Sequence, residues 1–304
     1  MKCRAADNKA LDAEPPIASF MRSMLIGGGT GEHRVGRFTS KSNRKYENMI
    51  EVQTTHPKLP ALFDPTIPNN PILFATLMGN TPGRAWVDDS GNPSQCMVRV
   101  NGLLVFLSNG VDQFFLDEGF DIIKQFSHVV FVSRRGESTL QIPKADRILQ
   151  RLEFIEYSAE SQSIVDSIDG DLPDGFEIQD IDKELIEKID SREDIESYCG
   201  SLENFLEHGF GICLMQNGDI VSEAYGPYVT ARNVELATLT KETHRGHGYA
   251  TKTCANFIQI CRERGLEPYW SCDANNLASV SLARKLGFKN EREYEILMYR
   301  GTPK

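Results

Sequence analysis

Apolar positions recur at strand or helix spacing along most of residues 49–300, and the period assigns the elements. Residues 85–87 and 95–107 read as strands around Asp88-Asp89-Ser90-Gly91-Asn92-Pro93, a run of turn formers. Residues 114–126 carry apolar side chains every three to four positions, which predicts a helix burying Phe115, Phe120, Ile122, Ile123 and Phe126. A short apolar strand follows at 128–133. Residues 176–181 read as a strand, and 183–189 and 193–207 as helices. From residue 209 the order is strand, strand, strand, helix, strand, helix, strand, at 211–216, 220–230, 234–240, 247–264, 268–272, 277–286 and 294–299. Asn217-Gly218 joins the first two as a tight hairpin turn.

Residues 1–48 lack such a period and read as a flexible leader. They hold nine Lys/Arg against five Asp/Glu, and their Gly27-Gly28-Gly29-Thr30-Gly31 lacks the Gly-Lys-Ser/Thr ending or third glycine of a nucleotide loop. Asp169-Gly170-Asp171-Leu172-Pro173-Asp174-Gly175 marks a boundary. The expected organisation is a leader at 1–48, an α/β domain at 49–160 and a second domain at 161–304.

Composition narrows the class. With 304 residues, 40% of them hydrophobic, the chain is long enough for about two globular domains. No apolar run approaches the roughly 18–20 residues that span a bilayer, and the N-terminus lacks a secretory pattern, so a cytoplasmic protein without membrane contact is expected. The net charge of −10 argues against a chain built to coat nucleic acid. The seven cysteines are odd in number and form no Cys-x-x-Cys, which predicts reduced thiols and no metal site. Residues 151–210 concentrate 18 Asp/Glu against four Lys/Arg. They are either solvated linker and helix faces or a field that draws in a cationic substrate.

The chemistry lies further on. Val234 to Thr251 runs from a strand through Arg245-Gly246-His247-Gly248-Tyr249-Ala250 into a long amphipathic helix with Ala250, Cys254, Phe257 and Cys261 on one face. Such a junction offers unpaired N–H groups at the positive end of a helix dipole. Glycine at 246 and 248 lets a diphosphate approach the backbone, and Arg245 adds a donor fork. The same bend is also compatible with a purely structural turn. About 20 residues later, a strand ends in Asp273-Ala274-Asn275-Asn276, with Asn276 suited to cap a short helix that Gly287 closes.

Together these segments resemble the GCN5-related N-acetyltransferase (GNAT) family. Arg245 to Ala250 looks like its acyl-CoA diphosphate loop. Asn276 to Phe288 looks like its Asn-x-x-Ser…Leu-Ala-x-Lys-Leu-Gly-Phe segment. Trp270 to Ser279, with Gly79-Asn80-Thr81-Pro82-Gly83-Arg84 and Val87-Asp88-Asp89, resembles in particular the bacterial subgroup that includes the zwittermicin A resistance acetyltransferase. The likeness covers about residues 173–300 and extends more weakly back to 57.

The resemblance implies an α/β (α+β) protein: a C-terminal GNAT fold with a mixed, centrally splayed β-sheet flanked by helices, plus an N-terminal α/β domain, read as a degenerate GNAT-like half. It implies acetyl-CoA as co-substrate and no metal. Leu239, Thr240 and Lys241 would meet the pantetheine or thioester, Arg245, Gly246, His247, Gly248, Tyr249 and Ala250 the diphosphate, and Asn276 and Ser279 the pantetheine arm. For Asn276, a plain helix cap is the alternative. Direct transfer to an amine needs a base, and the candidates are Glu235 and Glu223, each equally readable as an exposed or paired carboxylate. His244 and His247 flank the loop and suit positioning. Ala283 stands where many members carry a tyrosine acid, which leaves Tyr225, Tyr228, Tyr294, Tyr299 or solvent for that role. Cys254 and Cys272 have no activating partner in the sequence, so a covalent route is not expected. The expected acceptor is a primary amine of a small polar metabolite or antibiotic, acted on by a monomer or homodimer. The alternatives are a protein or peptide N-acetyltransferase and a catalytically silent acyl-CoA sensor or scaffold.

Overall fold

The computed structural model describes residues 49–300 except 102, 103, 127, 134–139, 169–171 and 173, so the expected leader and its glycine run lie outside the described residues. The N-terminal half contains β1 (Ile50–Val52), α1 (Asn70–Leu77), β2 (Gly83–Val87), β3 (Cys96–Val100), β4 (Leu104–Leu107), α2 (Gln113–Ile123), β5 (His128–Ser133) and β6 (Arg147–Glu156). The C-terminal half contains α3 (Ala159–Ile168), β7 (Phe176–Asp180), α4 (Arg192–Cys199), α5 (Leu202–His208), β8 (Phe210–Gln216) and β9 (Asp219–Gly226). It continues with β10 (Asn233–Glu235), β11 (Ala237–Thr240), α6 (Tyr249–Glu263), β12 (Glu267–Asp273), α7 (Leu277–Lys285) and β13 (Lys289–Arg300).

Local chemistry explains where the observed elements depart from the expected ones. The helix expected over 193–207 is two helices. Gly200 ends α4 with a φ of 81°, and Ser201 starts α5 by accepting the Asn204 N–H at 3.1 Å. Residues 183–189 form turns rather than a helix. The Asp182 carboxylate accepts the N–H groups of Glu184 and Leu185 at 2.9 and 2.8 Å and so competes with helix pairing there. The strand expected over 95–107 is the antiparallel pair β3 and β4. Asn217 and Gly218 adopt φ values of 50° and 87°, the left-handed pair that a tight hairpin needs.

Nine strands form one mixed sheet in the order β1-β2-β3-β4-β5-β13-β6-β12-β10, and β11-β9-β8-β7 form a second sheet. The centre of the large sheet is an exchange. β6, the last strand of the N-terminal half, pairs with β12 of the other half, while β13, the last strand of the chain, pairs with β5. β6 and β13 pair with each other antiparallel over most of their length. One sheet face carries α2, whose Phe120 packs in one cluster with Met97, Phe131 and Leu297, and α6 with α7, where Phe257 of α6 packs in one cluster with Leu152 and Trp270. The opposite face is a single core drawn from both halves, including Leu73, Val98, Leu149, Tyr198, Tyr225 and Tyr294.

Within that shared core β6 brings two buried charges, Arg151 and Glu153. Glu153 accepts hydrogen bonds from the Tyr269 hydroxyl, from the Asn69 N–H at 3.3 Å and from Arg292. Arg151 donates to the Tyr294 hydroxyl at 3.4 Å and to Ser271 Oγ at 3.3 Å. Asn69, just before α1, donates its side-chain amide to the same Tyr294 hydroxyl at 2.8 Å. The start of α1 is thereby tied to both exchanged strands through hydrogen-bonded polar groups rather than bare charges.

Candidate active site

The site begins where two parallel strands part. β10 pairs with β12 from Asn233 opposite Glu267 to Glu235 opposite Tyr269. Beyond Leu236 the chain leaves that sheet, and Ala237 to Thr240 pair instead with β9. The Lys241 N–H bonds Val221 O on the β9 side at 3.1 Å. Strand alternation therefore turns the backbone groups of Thr238 and Thr240 towards the gap.

At the open end of the gap the chain bends into α6. Gly246 and Gly248 take φ values of 80° and 83°, and a Cβ built on either would meet nothing within 4 Å. Their conformation requires glycine, and the space beside them is open. Gly248 is the residue before α6 and no side chain caps it, so the first N–H groups of the helix keep their positive potential. Arg245 is held over the bend by a 3.3 Å hydrogen bond from its Nε to Thr240 O.

A cleft of about 330 Å³ joins these parts. Among the residues singled out from the sequence, Leu239, Thr240, Arg245, Gly246, Gly248, Tyr249, Ala250, Asn276 and Ser279 line it. Lys241 lines a different cavity. His247 is exposed and stacks on Tyr249 at 5.7 Å. Asn276 does serve as a helix cap, its Oδ1 accepting the Ser279 N–H at 3.1 Å, while also facing the cleft. Ser279 Oγ accepts the Trp270 indole N–H at 3.2 Å. His244, read from the sequence as a positioning residue, lines it too; Thr238, Thr251, Ala278, Ser281, Leu282 and Lys285 complete the lining and were not singled out. For Ala278, Ser281, Leu282 and Lys285 the signal was present, because their spacing puts them on one helical face.

On the other side of β11 lies a cavity of about 540 Å³. Asp190, Glu193, Asp194 and Glu242 give it an acidic wall, balanced in part by Arg192 and Lys241. Leu239, Thr240 and Arg245 are common to both cavities, so β11 is the partition between them.

The two candidate bases sit in different circumstances. Glu223, opposite Leu239 in the β9–β11 register, accepts the Asp190 N–H at 2.7 Å, the Ser191 N–H at 3.2 Å and the Ser191 hydroxyl. Burial raises its pKa, the hydrogen bonds oppose that rise, and the carboxylate is occupied in holding the turn before α4. Glu235 stands one residue before the parting of the strands and is buried. No hydrogen bond among the described residues holds its carboxylate. Burial pushes it up to about 7, with the Arg151 guanidinium pulling the other way. Neither glutamate lines the two cavities.

The tyrosines considered as acids are committed elsewhere or sealed. Tyr294 belongs to the Arg151 network, Tyr299 donates to Pro143 O at 2.8 Å, and Tyr225 and Tyr228 are buried. Ala283 is buried among apolar side chains. Cys254 and Cys272 are buried thiols whose pKa burial raises, the opposite of what an attacking thiolate needs. Among the described residues no group of three His, Cys, Asp or Glu side chains is placed to hold a metal ion, and no helix is long and apolar enough to cross a membrane.

The N-terminal half repeats the strand–helix–strand plan without the opening. β4 is paired on both sides, to β3 and to β5. At the start of α2, Asp112 accepts the Phe115 N–H at 2.8 Å, so a carboxylate already occupies the place where a diphosphate would bind.

Comparison with known proteins shows the family and the fold. The family model described as GNAT acetyltransferase matches residues 61–297. An uncharacterized N-acetyltransferase, YdfB of Bacillus subtilis (strain 168), is 26% identical over 234 residues, 74% of this chain and 88% of that protein. The crystal structure of a GCN5-related N-acetyltransferase-like protein from Streptococcus suis 89/1591 superposes with a TM-score of 0.60 at 25% identity, covering 81% of this chain and 98% of that one. A tandem GNAT protein from the clavulanic acid biosynthesis pathway shares the fold, with a TM-score of 0.56 at 12% identity over 84% of this chain and 99% of its own.

Proposed function

This chain belongs to the GNAT acetyltransferase family, and on that premise we propose that it moves the acetyl group of acetyl-CoA directly onto the primary amine of a small, polar, cationic acceptor. The observation that carries the reading is the parting of β10–β11 from β12 beyond Leu236, which opens onto the glycine bend at 246–248. An acyl-CoA needs an elongated gap with backbone partners for its amide arm and an anion site at one end, and the residues present fit both needs.

In this reading the N–H groups of Gly246 to Ala250 and the Arg245 guanidinium bind the diphosphate. The backbone of Thr238 and Thr240, with Asn276 and Ser279 opposite, orients the amide arm. The thioester carbon supplies the electrophile. The acceptor enters from the acidic cavity beyond β11, where Asp190, Glu193 and Asp194 favour an ammonium. An ammonium has no lone pair, so a base must take a proton first. Glu235 is the better placed of the two candidates: its pKa near 7 matches neutral operation, and its carboxylate is not spent on a turn as that of Glu223 is. The amine then attacks the carbonyl, the C–N bond forms, the C–S bond breaks, and the electron pair leaves with sulfur. Strand N–H groups facing the gap stabilise the intermediate oxyanion. The acceptor class includes amino-acid-like metabolites and antibiotics, in line with the zwittermicin A resistance-like motifs.

The test is a thiol-release screen with acetyl-CoA against polyamines, aminoglycosides, amino-acid amides and lysine peptides, with Arg245→Glu as control. Turnover of small cationic amines, lost in the control, is expected. Turnover confined to peptides, or none with any amine, would end the proposal. Neutralising Asp190, Glu193 and Asp194 together should raise the acceptor KM and leave the acetyl-CoA KM unchanged.

A further inference from the structure

The run Gly79-Asn80-Thr81-Pro82-Gly83-Arg84 stands out in the sequence, yet it lines neither the cleft nor the acidic cavity. It belongs to the N-terminal half, and its contacts reach across to elements that shape the acidic cavity. Asn80 bridges two segments of the other half. Its Nδ2 donates to Val229 O at 2.9 Å, in the connection from β9 to β10, and its backbone carbonyl accepts the Asn204 Nδ2 of α5 at 2.8 Å. Pro82 lies against the bend between α4 and α5, where a Cβ on Gly200 would fall 2.9 Å from the Pro82 Cγ. Asn101 follows β3, and its N–H holds Pro82 O at 2.8 Å. Its Nδ2 donates to Ser197 O on α4 at 2.7 Å.

The contacts of Asn101 and Pro82 fall at the C-terminal end of α4. The other end carries Arg192, Glu193 and Asp194 into the acidic cavity, and there Glu223 holds the N–H groups of Asp190 and Ser191. With eight residues α4 is about 12 Å long, short enough to move as one rod. Ile195, Tyr198 and Cys199 bury it in the shared core, but apolar burial is non-directional. A rod anchored at one end can still tilt and turn on its axis, and a second anchor at the far end removes both freedoms. The C-terminal half supplies the first anchor through Glu223, and the N-terminal half supplies the second.

We propose that Asn80 and Asn101 are positioning residues for acceptor recognition: from the N-terminal half they fix the far end of α4–α5 and thereby set where Glu193 and Asp194 stand across the cavity from β11. The proposal rests on the reading of the acidic cavity as the place of a cationic acceptor. Neither asparagine touches substrate. The N-terminal half, whose own strands leave no gap, serves the active site as a brace.

The experiment compares the full chain with Asn80→Ala, Asn101→Ala and the double variant. Each single change removes one side-chain bond across the halves and leaves the lining of both cavities intact. The Asn101 bond is exposed, so Asn101→Ala carries the test alone should the double variant melt early. Hydrogen–deuterium exchange read by mass spectrometry should speed up over 192–208 and stay unchanged over 249–263 in α6. The KM for the amine found by the screen should rise about fivefold per variant, the scale of one lost hydrogen bond. The Kd for CoA should stay within about twofold, because its cleft shares no partner with the two asparagines. An unchanged acceptor KM would overturn the proposal. So would a rise matched by the CoA Kd and by exchange in α6, which is general loosening. If the acceptor KM answers to the asparagines and not to neutralising Asp190, Glu193 and Asp194, the positioning stands and the acidic cavity falls as the acceptor's place. If the screen finds no amine, the transfer reading falls and exchange decides: faster exchange confined to 192–208 supports the brace, and unchanged exchange overturns it.

Discussion

The Leu236 N–H reaches the Tyr269 carbonyl oxygen at 3.0 Å, where two strands that run together up to that point begin to diverge. On one side of this bond the chain is ordinary parallel sheet. On the other it has a free flank, with α7 across the opening. Ala278, exposed on α7, lines that opening. Ala278→Trp should fill the cleft and raise the Kd for CoA at least tenfold by titration calorimetry. The side chain is outside the core, so the melting temperature should change by no more than a degree or two.

Lys285 lies on the same face of α7 and adds a positive charge to the cleft. Lys285→Glu should weaken CoA binding, and the gap between variant and wild type should narrow in high salt, because screening removes interactions between exposed charges. A loss of equal size at low and high salt would assign Lys285 a packing role.

Gly248 precedes α6 in the left-handed region, with open space beside it. Gly248→Ala forces an L-residue into that conformation at a cost of about 1–2 kcal/mol and places a methyl where the diphosphate is proposed to lie. Denaturant melts should show the strain, and the acetyl-CoA KM should rise by more than the loss of stability explains.

Glu235→Gln should remove activity and yet stabilise the fold in alkali. The carboxyl pKa rises from 4.5 to about 7 on folding. The folded state therefore holds the proton more tightly than the unfolded chain does. The stability this gives is full below pH 4.5, declines as the pH rises towards 7 and is lost above it. A neutral amide avoids that loss, so the variant should gain on the wild type by of order 3 kcal/mol above pH 7. In the wild type, kcat/KM should rise with pH through about 7. A pH-independent difference in stability would contradict the buried, proton-binding state.

Gly287 closes α7 with a φ of 91°, and a Cβ there would fall 2.9 Å from the Ser161 Cα on α3. Ser161 Oγ also donates to Gly287 O at 2.6 Å. Gly287→Ala combines left-handed strain with a clash against backbone and should cost about 3 kcal/mol, read as a lowered denaturant midpoint.

Much of this architecture was legible because local rules and tertiary packing agree. The alternation in 211–240 and the helical period of α6 each name one buried face. β6 was not legible, and the reason is physical: Arg151 and Glu153 occupy inward positions, so the run Arg147-Ile148-Leu149-Gln150-Arg151-Leu152-Glu153 shows no clean alternation. Only the partners supplied by Tyr269, Tyr294 and Arg292 make those charges tolerable, and all three are more than 100 residues away. The break between α4 and α5 was signalled by Gly200-Ser201 but outweighed by the apolar period on both sides. At the site, spacing sufficed to mark the glycine bend.

The trading of final strands has a consequence for how the molecule comes apart. Remove residues 161–304, and β6 loses both neighbours, leaving two raw flanks of N–H and C=O groups. Remove residues 49–160, and β12 and β13 lose β6, the strand that stands between them and pairs with both. Heat cannot release one half and spare the other, so calorimetry should trace a single peak whose van't Hoff and calorimetric enthalpies coincide. Either piece made alone would expose sticky sheet margins and precipitate.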